Sequence, residues 1–140
     1  MNLFGIMSIT GAGLSAERTR LNVVASNIAN ARVTRTPEGG PYRRRDVLLS
    51  APATDFSRTL SQELSGPSKA EIVIDKSQPR MVYDPGHPDA DQNGYVAMPN
   101  VNVVEEMADM LTSSRSFEAN TSVLGALKNM ALHALRIGKE

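Results

Sequence analysis

Apolar and small residues recur every seven positions through the last third of the chain, at Val103, Met110, Phe117, Leu124 and Ala131. A second row follows three or four residues on, at Met107, Ser114, Thr121 and Leu135. Steps alternating between three and four mark a helix laid along other helices. The pattern predicts one amphipathic helix over Asn100 to Gly138. Pro99 lies just outside its start, Asn102 can cap it, and Glu105 completes the spacing of a capping box. Glu105, Glu106 and Asp109 lie near the positive end of the helix dipole, and His133, Arg136 and Lys139 near the negative end. A helix of this length makes a rod of roughly 50 Å. Its seam is mixed: Lys128 falls on the second row, Leu127 and Met130 pull the apolar face sideways, and Ser114 and Thr121 are small. That composition suits a helix touching several neighbours.

A second helical pattern covers residues 3 to 30, with Leu14, Leu21 and Ile28 seven apart, Val24 among them, and Glu17, Arg18 and Arg20 on the other side. Gly11 and Gly13 weaken its upstream continuity. Between the helices the period changes. Thr36 to Pro41 reads as a turn. Tyr42 to Ser50 reads as a strand with Val47, Leu48 and Leu49 at its buried end, Glu71 to Asp75 as a short strand, and Arg80 to Tyr83 as another. Residues 51–69, rich in Ser, Thr, Pro and Gly, read as a flexible loop; Asp84 to Gly94 is turn-rich, and Tyr95 to Met98 leads into the last helix. The fold class expected is α+β: terminal helices over 1–30 and 100–140 around a β-rich middle at 31–99.

Composition narrows the function. With 140 residues, 41% hydrophobic, 4% aromatic and no Trp, a large self-contained core is not expected. A formal net charge of zero argues against general nucleic-acid or anionic-membrane binding. No cysteine means no disulfide and no thiolate metal site. No stretch is apolar enough to span a membrane, and no charged-then-apolar signal of the cleavable kind stands at the start.

Three groupings invite chemistry. Gly11 to Ala16 fits a dinucleotide fingerprint with Ala in the third glycine position, but no buried strand precedes it and no acid follows Glu17 until Glu38. Small residues that let helices approach closely explain it as well. Asp89, Asp91, Asn93 and Gly94 match the first half of a calcium loop, yet the twelfth position is Asn100 where a bidentate Glu belongs, and Pro85 and Pro88 replace the preceding helix. Asp84 and His87 could extend them to another kind of metal site, but Asp, Asn, Gly and Pro are ordinary turn formers. Arg32, Arg35, Arg43, Arg44 and Arg45 form a basic segment, and three arginines in a row on a strand alternate between faces. Arg43, Arg44 and Arg45 therefore suit a salt-bridged subunit interface better than one phosphate site. His87 and His133 are far apart in unlike settings. The sequence shows no nucleophile with a base, so neither enzyme nor cofactor nor metal site is expected. A soluble adaptor using the Arg32–Arg45 segment is the competing reading.

Longer motifs are more specific. Leu21 to Ala31 (LNVVASNIANA) resembles the N-terminal signature of bacterial flagellar rod and hook axial proteins. Thr34 to Arg44, Val82 to Asp91, Gly94-Tyr95-Val96 and Pro99 to Met107 narrow the resemblance to the proximal rod proteins. Met98 and Arg45 depart from that pattern, which has Tyr and Gln there. The resemblance implies a structural axial subunit of the basal body, in the rod that spans the periplasm. It implies export through the flagellar type III apparatus without signal cleavage and without membrane insertion. It also implies an antiparallel, coiled-coil-like pairing of the terminal helices in a tube that transmits torque and forms the export channel. The implied neighbours are the rod proteins FlgB, FlgF and FlgG, the adaptor FliE and further copies of the chain. Helix packing and assembly are assigned to Leu14, Leu21, Val24 and Ile28 on the first helix, and to Val103, Met107, Met110, Phe117, Leu124 and Leu135 on the last.

Overall fold

The structure, a computed structural model, describes residues 3–50 and 69–137. The loop expected at 51–69 thus falls outside the described residues except for Lys69, which already belongs to a strand. Helix α1 runs unbroken over Leu3–Ala29, 27 residues, through both Gly11 and Gly13. It ends where Asn30 turns its side-chain amide back onto the Ser26 carbonyl at 2.8 Å. Helix α2 spans Val103–Ile137, 35 residues. Asn102 caps it, accepting the Val104 N–H at its side chain (3.1 Å) while its carbonyl accepts the Glu106 N–H (3.0 Å).

Two contacts fix how the helices pair. Asn27 meets Glu106 through a 2.9 Å hydrogen bond. A methyl group placed on Gly13 would sit 3.5 Å from Asn120 Nδ2. Fourteen residues back along α1, from Asn27 to Gly13, thus match fourteen forward along α2, from Glu106 to Asn120. The pair is antiparallel and in step. The inward row of α2 is Glu106, Met110, Ser113, Phe117, Asn120, Leu124, Leu127 and Ala131, each buried or half-buried. The expected row of Met110, Phe117, Leu124 and Ala131 lies on it. The second row does not: the partners are Glu106, Ser113, Asn120 and Leu127, one residue earlier than expected from Met107 and Thr121, which are exposed. The expected row has Met107 and Leu135 at its ends and the true one has Glu106, Ser113 and Asn120, so hydrophobic periodicity favours the wrong flank.

The middle of the chain forms two separate antiparallel ribbons. β1 (Arg45–Ser50) pairs with β2 (Lys69–Ile74), placing Arg45 opposite Ile74 and Val47 opposite Ile72. β3 (Arg80–Tyr83) pairs with β4 (Tyr95–Met98), so the lead-in to the last helix is itself a strand. Tyr42 to Arg44 lie before β1 and not in it. Of the three residues expected at the buried end of that strand only Val47 is buried; Leu48 is 58% and Leu49 38% exposed. A two-stranded ribbon has no second layer to cover both faces. The apolar core is correspondingly small: Ala16, Val23, Val24, Tyr42, Val47, Val96, Val101 and Leu127.

Gly94 closes the β3–β4 ribbon. Its φ is +80°, and a methyl group there would lie 2.9 Å from Tyr83 Cε2 and 3.3 Å from Pro85 Cβ. Tyr83 packs edge-on against Tyr95 with ring centroids 5.3 Å apart. Only glycine fits both the backbone and the space.

Candidate functional site

The chain's most constrained region is the junction where α1 ends, β1 begins and α2 starts. At its centre is Asn27, 1% exposed. Its Nδ2 donates to the Arg45 carbonyl (2.8 Å) and to Glu106 Oε2 (2.9 Å). Its Oδ1 accepts from the Tyr42 hydroxyl (2.9 Å) and the Arg45 N–H (3.0 Å). Both amide hydrogens and both lone pairs are used, so the side chain has one orientation. Glu106, also 1% exposed, accepts at its second oxygen from Arg44 Nε at 2.6 Å. Burying a carboxylate is unfavourable unless it is paired and hydrogen-bonded, and here it is both.

The network reaches outward from there. The Arg44 N–H donates to Asn100 Oδ1 (2.9 Å), and Asn100 Nδ2 donates to Ser77 Oγ (2.6 Å). The Asp75 N–H donates to the Arg44 carbonyl at 2.8 Å. Arg44 also stands 3.7 Å from Asp46 and 3.8 Å from Asp109. The hydrogen bond to Glu106, ahead of any other influence, holds the Arg44 guanidinium above its ordinary pKa. One asparagine and one ion pair thus tie both helices and the first ribbon into a fixed angle.

The arginine triplet divides, although only Arg45 belongs to β1. Arg44 turns inward to Glu106, so it serves the subunit's own fold and is not available as an interface charge. Arg43 and Arg45 are exposed, and the Arg45 guanidinium lies 5.7 Å from the centroid of the Tyr42 ring. Val24 is buried against the junction, and Leu14, Leu21, Ile28, Met110, Phe117 and Leu124 are half-buried along the pair. Val103, Met107 and Leu135 are 40%, 55% and 69% exposed, so within one subunit they do not pack on α1.

The turn at 84–94 uses Asp84 and Asp91 on itself and Asp89 on the segment after α1. Asp91 Oδ1 accepts the N–H groups of Asn93 and Tyr95, both at 2.8 Å, Asp84 Oδ1 accepts that of Gly86 (3.3 Å), and Asp89 accepts the Thr34 hydroxyl (2.8 Å). His87 Nδ1 accepts the Asp89 N–H at 3.1 Å. Among the described residues no three His, Asp or Glu side chains stand where they could hold a metal ion. Nor is any described helix long and apolar enough to cross a membrane.

Sequence reasoning did not single out Asn27, Tyr42, Asn100 or Glu106 as a site. The available signals were a polar residue, Asn27, flanked by Val24 and Ile28 on an apolar face, and an acid in the first turn of a long helix.

Comparison with known proteins agrees with the geometry. The family described as "Flagella basal body rod protein" matches residues 7–35, the α1 seam and junction, and "Flagellar basal body rod FlgEFG protein C-terminal" matches residues 92–137, β4 and α2. The flagellar basal-body rod protein FlgC of Salmonella typhimurium is 42% identical over 99% of this chain and 100% of its own length. The FlgC proteins of Borreliella burgdorferi and Bacillus subtilis are each 40% identical, over 98% and 99% of this chain and 98% and 100% of their own.

Proposed function

The chain belongs to the FlgC family of flagellar basal-body rod proteins, and from that premise we propose that it is a structural, non-catalytic subunit of the proximal rod. The observation that carries the reading is the helix pair itself. It is closed by a mixed apolar and polar seam on the inside while Val104, Leu111 and Leu135 remain 75%, 62% and 69% exposed. Large apolar side chains left in water along a rod mark a surface meant for other subunits. The helices then form the wall of a tube that carries torque and surrounds the export channel, and the ribbons stand away from it at the angle set by Asn27 and Glu106.

The neighbours of such a subunit are FlgB, FlgF and FlgG, the adaptor FliE and further copies of the chain, and its route is the flagellar type III apparatus. Arg43 and Arg45, exposed beside the junction, are the interface charges in this reading; Arg44 is internal. The test replaces the chromosomal copy in a flagellated bacterium. The wild-type chain should restore swimming and appear in purified basal bodies. Arg43→Glu/Arg45→Glu should leave secretion intact and reduce incorporation. A chain that is secreted normally but absent from basal bodies of swimming cells would sink the assignment.

A further inference from the structure

Two rows on this subunit, exposed at every position but the half-buried Ser114, have matching spacing. On the outer flank of α2, Met107, Leu111, Glu118, Gly125 and Lys128 lie along one line with Ser114 and Thr121 between them, in steps of four and three. On the face of α1 turned away from its partner, Ala29, Ala25, Arg18, Gly11 and Ser8 lie along another, with Asn22 and Ser15 between, and every one is exposed. Read in opposite directions, the two rows have the same sequence of steps.

We propose that the α2 flank of one subunit seats the α1 face of a second copy, antiparallel, with Glu118 opposite Arg18. This rests on the rod reading above and adds the partner helix and its register. That single pairing sets the rest. Met107 and Leu111, 55% and 62% exposed, come opposite Ala29 and Ala25, bulk against small. Arg18 is the lone charge of its row, and Glu118 is the lone acid of the other. Among the described residues neither has an ion-pair partner in its own chain. Opposite charges at matched positions fix register and exclude slipped alternatives.

The glycines give independent support. Glycine inside a helix costs about 1 kcal/mol relative to alanine. A methyl group at Gly11 or Gly125 would meet nothing within 4 Å in the subunit. Packing inside the chain therefore gives no reason for either. In the proposed register they face each other, where two helix backbones would come closest.

The contact is heterologous, because each copy offers a different face to each neighbour, so it propagates along a polar assembly. It also sets a stagger. Within one subunit Gly13 faces Asn120, which places Glu118 level with residue 15 of its own α1. The incoming copy places residue 18 there instead. Three residues at the helical rise shift adjacent copies by about 4.5 Å along the helix axis.

The chain contains no cysteine, so a disulfide can report this contact without background. In cells carrying Ala25→Cys/Leu111→Cys as the only copy, mild oxidation of purified basal bodies should give linked dimers and higher species on a non-reducing gel. Ala25→Cys/Thr121→Cys, out of register, should give none. Normal basal bodies that yield no linked species from the 25/111 pair would overturn the inference and leave the rod assignment standing. Absence of the unmodified chain from basal bodies would remove both. Should the cysteine variant fail to assemble, the charges decide. Arg18→Glu and Glu118→Arg should each lower incorporation about tenfold by juxtaposing like charges, and the two together should restore it. A double variant no better than either single one would overturn the register.

Discussion

Replacing Glu106 by alanine is the sharpest test of the junction. The carboxylate is 1% exposed and accepts two hydrogen bonds, from Arg44 Nε at 2.6 Å and Asn27 Nδ2 at 2.9 Å. Breaking a buried ion pair from one side costs about 3–5 kcal/mol, because the charge left behind has lost its partner. Here the abandoned group is Arg44, whose side chain is 26% exposed and can regain water, and Asn27 keeps its bond to the Arg45 carbonyl. The expected loss is therefore nearer 2–3 kcal/mol, about the value of the hydrogen bonds to a charged group. With a urea slope of about 2 kcal/mol per molar for a chain this small, the midpoint followed by circular dichroism should fall by about 1–1.5 M. Glu106→Gln should not rescue it fully. Glutamine has one acceptor oxygen where two are needed, and Asn27 cannot turn to compensate, since its Oδ1 is occupied by Tyr42 and Arg45. Removing Arg44 as well should add little to the loss, as members of one network are not additive. A midpoint shift below about a quarter of that expected, or full additivity of the two deletions, would refute the account.

Gly94→Ala should destabilise by about 2–3 kcal/mol, combining left-handed backbone strain with overlap on Tyr83, measurable as a fall in Tm. Phe117→Ala removes a half-buried ring from the seam and should cost about 1.5–3 kcal/mol in the isolated chain, with loss of rods and swimming in cells; a motile variant with normal rods would contradict it. The Ser77 N–H and hydroxyl bonded to Asp75 hold that carboxyl below its ordinary pKa. A lowered value means its contribution is present above the usual aspartate range and is lost as pH falls through the folded value. An acid titration of stability should therefore flatten slightly in Asp75→Asn. Arg44 is shifted the opposite way, so its own deprotonation removes its contribution only as pH rises into strong alkali.

The architecture was legible because it depends on period. Two amphipathic stretches at the chain ends and short strands between them read directly, and the row Met110, Phe117, Leu124, Ala131 is where the seven-residue spacing placed it. The other half of the seam was not, because Glu106, Ser113 and Asn120 are polar. A pattern that scores apolarity moved to the next apolar line, Met107 and Leu135, which the subunit leaves exposed. The junction was hidden for a related reason. Asn27, Arg44 and Glu106 come from three separated segments, and each alone resembles an ordinary surface residue; only the fold brings their donors and acceptors into one closed set. Arg44 does part from Arg43 and Arg45, but Arg43 and Arg44 lie ahead of the strand, so strand alternation is not the cause.

The hydrogen bond between Asn27 and Glu106 joins residues 79 positions apart in sequence. Contacts of such separation form late, because the intervening chain must first be brought together. The β3–β4 ribbon, with Tyr83 opposite Tyr95, closes over a far shorter segment and can fold first. A chain delivered gradually from its N-terminus would therefore carry α1 unpaired until the start of α2 had followed. Completion of the seam then becomes the final event of folding. Until that moment the two helices stay apart with the ribbons between them, and only afterwards does the subunit become a rod.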